Sequence, residues 1–165
     1  MKQTKEGKNP AFPRRYGATS GVNAQIRAAA QHKQTLIIQG GNSKSFYGET
    51  ATSANVLDTR AHSGIVSYEP SELVVTVRAG TPLAELEAVL AEKGQCFPFE
   101  PPRFGAGGTV GGMVAAGLAG PARACVGSVR DFVLGAQFIN GRGELLTFGG
   151  QVMKNVAGYD VSRVM

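Results

Sequence analysis

The chain of 165 residues has no tryptophan, two cysteines and two histidines, and each scarcity removes a class of function. Cys96 and Cys125 are too few and too widely spaced for a disulfide framework, and no signal-peptide pattern precedes them, so a reducing cytoplasm is the expected compartment. No Cys-His-Asp set stands in a workable order, and both thiols read as inert. Neither His32 nor His62 has a carboxylate or cysteine at metal-ligand spacing, so both read as solvated and no metal is expected. The longest uncharged run, Phe104 to Ala122, falls short of the roughly 20 residues a spanning helix needs and is broken by glycines and Pro121. No transmembrane segment is expected.

Acidic charge is nearly missing from the start of the chain. Lys2, Lys5, Lys8, Arg14, Arg15, Arg27 and Lys33 face only Glu6 within residues 1–33, giving that stretch +6 and the remainder −1. The excess marks a basic N-terminal arm over residues 1–15. Basic residues do not alternate with aromatics anywhere, and no RNA-binding signature occurs, so nucleic acid is not an expected partner.

Glycine is what the chain has in abundance, 23 residues against a usual share of about 7%. The glycines follow no fixed period, which excludes collagen-like and low-complexity readings. Six of the fourteen residues from Gly107 to Gly120 are glycine and none is charged. Glycine gives up packing and costs entropy on ordering, so this density suggests amides lying against a large ligand. Gly108, Gly112, Ala116 and Gly120, spaced by four, read equally as a face for close helix packing.

Periodicity places the elements. Val22, Ile26, Ala29 and Ala30 form one face of a helix from Val22 to His32, followed by a buried strand from Thr35 to Gln39. Val56–Asp58, Ile65–Tyr68 and Leu73–Val77 are rich in β-formers, the last two joined by a turn at Glu69, Pro70 and Ser71. Thr81 as N-cap, Pro82 at the first helical position, and Leu83, Leu86 and Leu90 on one face predict a helix over 82–93 that Gly94 ends. Phe132–Ile139 and Glu144–Phe148 flank Asn140-Gly141-Arg142-Gly143 and predict a hairpin. The order is βαβ-like at first and antiparallel afterwards, an α+β pattern of two lobes with a groove between them. The run after Asp160 reaches Met165 without a terminating glycine, proline or charged tail and reads as a fragment.

Two loops carry candidate chemistry. Gln39 to Gly48 follows a strand and gathers glycines, Asn42, Ser43, Ser45 and Lys44, the makings of an anion-binding nest with an added positive charge. An ATP-binding P-loop is excluded, because Ser43 and Ile38 stand where that motif needs glycine. An ordinary strand-to-helix turn is the other reading of this loop. Neither glycine segment carries a clean G-x-G-x-x-G between strand and helix, so a Rossmann site is weakly supported. Val152 to Asp160 mixes Lys154, Asn155, Tyr159 and Asp160 near Gly158, and a polar turn is its plain alternative.

Taken in order, the Gly40–Gly48 loop, Arg78-Ala79-Gly80-Thr81-Pro82-Leu83, Phe99-Glu100-Pro101-Pro102, Gly108–Gly112, Gly127–Gly135 and Met153–Asp160 resemble the FAD-binding subunits of glycolate oxidase. These belong to the vanillyl-alcohol-oxidase, or p-cresol-methylhydroxylase (PCMH), type of flavoproteins. The likeness runs from about residue 35 to the C-terminus. It implies a PCMH-type FAD-binding domain of two α+β subdomains, 16–62 and a C-terminally incomplete 63–165, without the substrate cap domain. FAD would lie in the groove between them. Gly40, Gly41, Asn42, Ser43, Lys44, Ser45 and Phe46 would hold its diphosphate. Pro102, Gly107, Gly108, Thr109, Gly111, Gly112, Ala115, Ala116, Gly117 and Gly120 would line the diphosphate and isoalloxazine. Gly127, Ser128, Gly158, Tyr159 and Asp160 would complete the groove.

Relatives with covalent flavin often carry histidine in the first loop, where this chain has Asn42 and Ser43, so non-covalent FAD is implied. The implied activity is oxidation of a small 2-hydroxy acid such as glycolate to the 2-oxo acid, glyoxylate. Electrons would leave through other glycolate oxidase subunits, an iron-sulfur one included. The implied location is cytoplasmic, with peripheral attachment at the inner face of the membrane as its variant. No residue is named as catalytic. A non-catalytic module that binds FAD or its partners, and an enolpyruvyl nucleotide sugar reductase on the same scaffold, stay as alternatives.

Overall fold

A computed structural model describes residues 20–49 and 55–150. Helix α1, Ser20–Gln31, forms on an alanine-rich sequence and turns Ile26 and Ala29 into the interior. It closes without glycine: Lys33 adopts a left-handed φ of 51° and the Gln34 amide donates to Ala29 O. Strands β1, Leu36–Gln39, and β2, Asn55–Asp58, pair in parallel with Leu36 opposite Asn55 and Gln39 opposite Asp58. A parallel pair needs a long crossover. Among the described residues this crossover holds no helix, so the order there is helix, strand and strand rather than the expected βαβ-like opening.

Strands β3, Ile65–Glu69, and β4, Val74–Val77, form an antiparallel pair with a bulge between Ile65 and Ser67. A 3-10 turn over Pro70–Glu72 joins them and Leu73 leaves it with φ 56°. Helix α2, Leu83–Ala91, is followed by α3, Val110–Ala116, and by the single turn α4, Arg123–Val126. Leu83, Leu86 and Leu90 of α2 meet Phe99, Val110, Met113, Ala119 and Val129 in one cluster, against which Ile65, Tyr68, Val75 and Val77 pack. The α2 and α3 helices are thus seated on the β3–β4 sheet. Tyr68 adds a polar tie, its hydroxyl donating to Gln95 Oε1 at 2.6 Å.

The last pair is the expected hairpin of β5, Gly135–Ile139, and β6, Leu145–Gly149, about the Asn140–Gly143 turn. The expected start at Phe132 is too early. A capping box between Ser128 and Asp131 winds Val129–Phe132 into a 3-10 turn and holds Phe132 out of the strand. The hairpin turn reaches back to α1, where the Arg27 guanidinium donates to Gly143 O. The architecture is α+β, as expected, with helices set beside two-stranded sheets.

Candidate functional site

The turn from β4 into α2 builds one wall of the site. Thr81 is not the N-cap of α2: Pro82 holds that position, and no side chain caps the helix. The Thr81 hydroxyl instead turns inward, fully buried, accepting from the Gly64 amide at 2.8 Å and donating to Gly64 O at 3.3 Å. Gly80 allows this crossing, because a Cβ there would overlap Thr59 O and sit 2.8 Å from His62 O. The Gly80 amide donates to that same His62 oxygen.

The Thr59–Gly64 loop is therefore pinned on the Arg78–Thr81 segment. At its foot, hydrogen bonds from the Arg60 guanidinium hold Asp58 down to about 2. His62 contradicts the solvated reading: its Nδ1 is shut from solvent without a partner among the described residues. Desolvation, then the nearby Arg78 charge, lower its pKa.

Three hydrogen bonds lay the second glycine segment along that wall. Leu83 N donates to Gly108 O at 2.9 Å, Val110 N to Thr81 O at 2.9 Å and Gly111 N to Ala79 O at 2.7 Å. Thr109 is the true N-cap here, accepting from Gly112 N. The donors at the start of α3 are therefore all satisfied by protein, and the expectation of bare amides along this whole segment is corrected for Gly111 and Gly112. Gly111 is glycine for another reason, since a Cβ would lie 2.8 Å from that of Ala79. Gly120, at φ 73°, similarly presses on Glu100, and Gly127 on Asp131. Ser128 serves the capping box. Pro102 is half-buried, Ala116 is half-buried, and Ala115 and Gly117 are exposed at the far end of α3.

The first loop behaves differently. From Gly40 to Phe46 no backbone amide donates to a protein acceptor among the described residues, and Asn42 adopts φ 55°. A left-handed residue in such a loop is one ingredient of the backbone conformation that forms an anion nest. Lys44 beside it forms no ion pair among the described residues. The loop is held by its neighbour: a Cβ on Gly41 would overlap the Gly107 carbonyl, and one on Gly40 would run into the Thr109 hydroxyl. Gly107, Gly108 and Thr109 also keep free amides among the described residues. The structure thus brings the 40–46 loop and the 107–109 start of the second segment together. Gly158, Tyr159 and Asp160 lie outside the described residues.

The FAD binding domain family matches residues 15–149 of this sequence, most of its length. The chain belongs to that family. It is 57% identical over 141 residues to the glycolate oxidase subunit GlcE of Escherichia coli, covering 86% of this chain and 40% of that protein. It is also 28% identical over 152 residues to a D-2-hydroxyglutarate dehydrogenase of Xanthomonas citri, covering 90% and 32%. An alkyldihydroxyacetonephosphate synthase structure superposes with a TM-score of 0.70 at 20% identity, covering 89% of this chain and 27% of that one, and shows the same fold. The chain therefore spans well under half the length of these relatives. For an FAD binding domain, the donor set fits: free amides, a left-handed Asn42 and Lys44 suit a diphosphate.

Phe104 escaped the sequence reading. Its ring meets Phe46 edge to face, with centroids 4.9 Å apart. Nothing in the pattern around residue 104 marks it; only the fold brings the two loops together. No helix among the described residues is long and apolar enough to cross a membrane.

Proposed function

We propose that this chain is the FAD-binding portion of a flavin-dependent 2-hydroxy acid oxidase or dehydrogenase subunit, oxidising glycolate to glyoxylate within a complex of several subunits. The 57% identity to a glycolate oxidase subunit over 141 residues carries the reading. Residues 16–62 and 63–165 are its two subdomains, and FAD lies between them. The amides of Gly40 to Phe46 donate to the diphosphate oxygens, and Lys44 supplies a positive charge beside them. Gly107, Gly108 and Thr109 add donors from the opposite loop. The Gly41–Gly107 contact fixes the spacing of the two loops, so little ordering is needed on binding. When bound, FAD supplies the acceptor for the hydride leaving the substrate carbon.

No covalent link is proposed, since Asn42 and Ser43 offer no histidine at this loop. Gly158, Tyr159 and Asp160 complete the groove. Electrons leave through other subunits of the complex, an iron-sulfur one included, and the proposed location is the cytoplasm, with peripheral attachment at the inner face of the membrane as its variant.

The test is an absorbance spectrum of the purified full-length protein with added FAD, followed by dialysis and acid precipitation. The expected result is flavin that survives dialysis, is released by acid into the supernatant, and in the assembled complex is bleached anaerobically by glycolate but not by NADPH. Bleaching by NADPH alone would turn the assignment toward a reductase on the same scaffold. Flavin that stays with the acid pellet would overturn the non-covalent attachment.

A further inference from the structure

Three aromatic side chains are more than half exposed among the described residues, and all three stand at one place: Phe46 at 63%, Tyr47 at 61% and Phe104 at 51%. The other strongly exposed apolar side chains, Ile38, Val56, Leu73 and Leu145, are aliphatic, as ordinary surfaces allow. The two loops that frame the free amides touch at both ends. At one end the Gly41 and Gly107 backbones meet, and at the other Phe46 meets Phe104. The amides of Asn42 to Ser45 lie between these contacts in the chain. Next to Phe104 in the chain, Arg103 pairs with Glu87 of α2.

The two rings cross at 81°. In an edge-to-face pair the edge of one ring meets the face of the other, so each ring keeps a free face for a further planar partner. A dinucleotide carries a planar heteroaromatic ring on each side of its diphosphate. We propose that Phe46 and Phe104 form an aromatic clasp, one ring stacking on a planar ring of the dinucleotide whose diphosphate sits on the Gly40–Phe46 amides and the other meeting that ring edge to face. The clasp rests on the FAD reading above. It assigns to two exposed rings a binding role that backbone amides cannot supply, since amides recognise the phosphates and the clasp recognises the ring.

The test measures Kd for FAD, FMN and ADP in the full-length protein and in its Phe46→Ala, Phe46→Leu, Phe46→Tyr and Phe104→Ala variants. Thermal unfolding of each variant checks that it folds. Loss of one stacked aromatic weakens ring binding by roughly tenfold to a hundredfold. The expected outcome is a loss of that size in FAD affinity for both alanine variants and for Phe46→Leu, with Phe46→Tyr near the parent. A loss shared with ADP assigns the clasp to adenine, and one shared with FMN assigns it to isoalloxazine. Full FAD affinity in Phe46→Leu would show that any apolar side chain suffices and would overturn the clasp, while leaving the FAD reading intact. A parent protein that binds no FAD would remove both.

Discussion

At Gly41 a single hydrogen is all the fold admits, because any Cβ overlaps the Gly107 carbonyl and both partners are backbone that cannot rotate away. Gly41→Ala therefore has to push the two loops apart. Overpacking of this kind costs about 1–3 kcal/mol, and the displaced amides lose their aim. The expected result is a lower unfolding midpoint together with FAD binding weakened at least about tenfold; a variant with parental affinity would detach the loop from the cofactor. His62 offers a second test at this scale. Its lowered pKa means that the folded chain resists a proton which the unfolded chain accepts near the ordinary value of about 6.5. Stability is then level above that pH and declines as the pH falls below it. Denaturant midpoints at pH 7.5 and pH 5 should differ less in His62→Gln than in the parent, and equal differences would refute the assignment.

Among the elements, those driven by local periodicity were legible in the sequence and those fixed by distant partners were not. The Leu83, Leu86 and Leu90 face gave α2 to within two residues, and the Asn140–Gly143 turn gave the hairpin. Thr81 misled, because a threonine before Pro82 has the local form of an N-cap while its hydroxyl is claimed by Gly64, seventeen residues back. Within the second glycine segment, the amides of Gly111 and Gly112 misled in the same way: Gly111 is claimed by Ala79, far back in the chain, and Gly112 by the Thr109 cap. The element-scale prediction separates the two roles of Thr81. Thr81→Asn keeps a capping side chain but loses the fit at Gly64, so it should destabilise by about 1–3 kcal/mol, whereas Thr81→Ser should recover most of that loss. Leu86→Ala, at the most buried side chain of α2, should cost about 2–5 kcal/mol.

On the scale of the molecule, the two loops proposed to hold FAD are where separate elements join. The 40–46 loop hangs from β1, the 108–111 strip is laid on the β4–α2 turn by three hydrogen bonds, and the Arg27 bond ties α1 to the last hairpin. A ligand held by both loops therefore stabilises the assembly of all these elements. At one hundred times its Kd it should add about 2.7 kcal/mol to unfolding. Amide exchange resolves where that stabilisation enters. Gly40 to Phe46 and Gly107 to Thr109 have no protein acceptor among the described residues, so FAD should slow their exchange most. Gly111 and Gly112, already donating to Ala79 and Thr109, should change only as far as the whole molecule is stabilised. The opposite pattern, with protection gained at the start of α3 and none in the 40–46 loop, would move the diphosphate from the nest to the helix and require the Gly111 bond to open first.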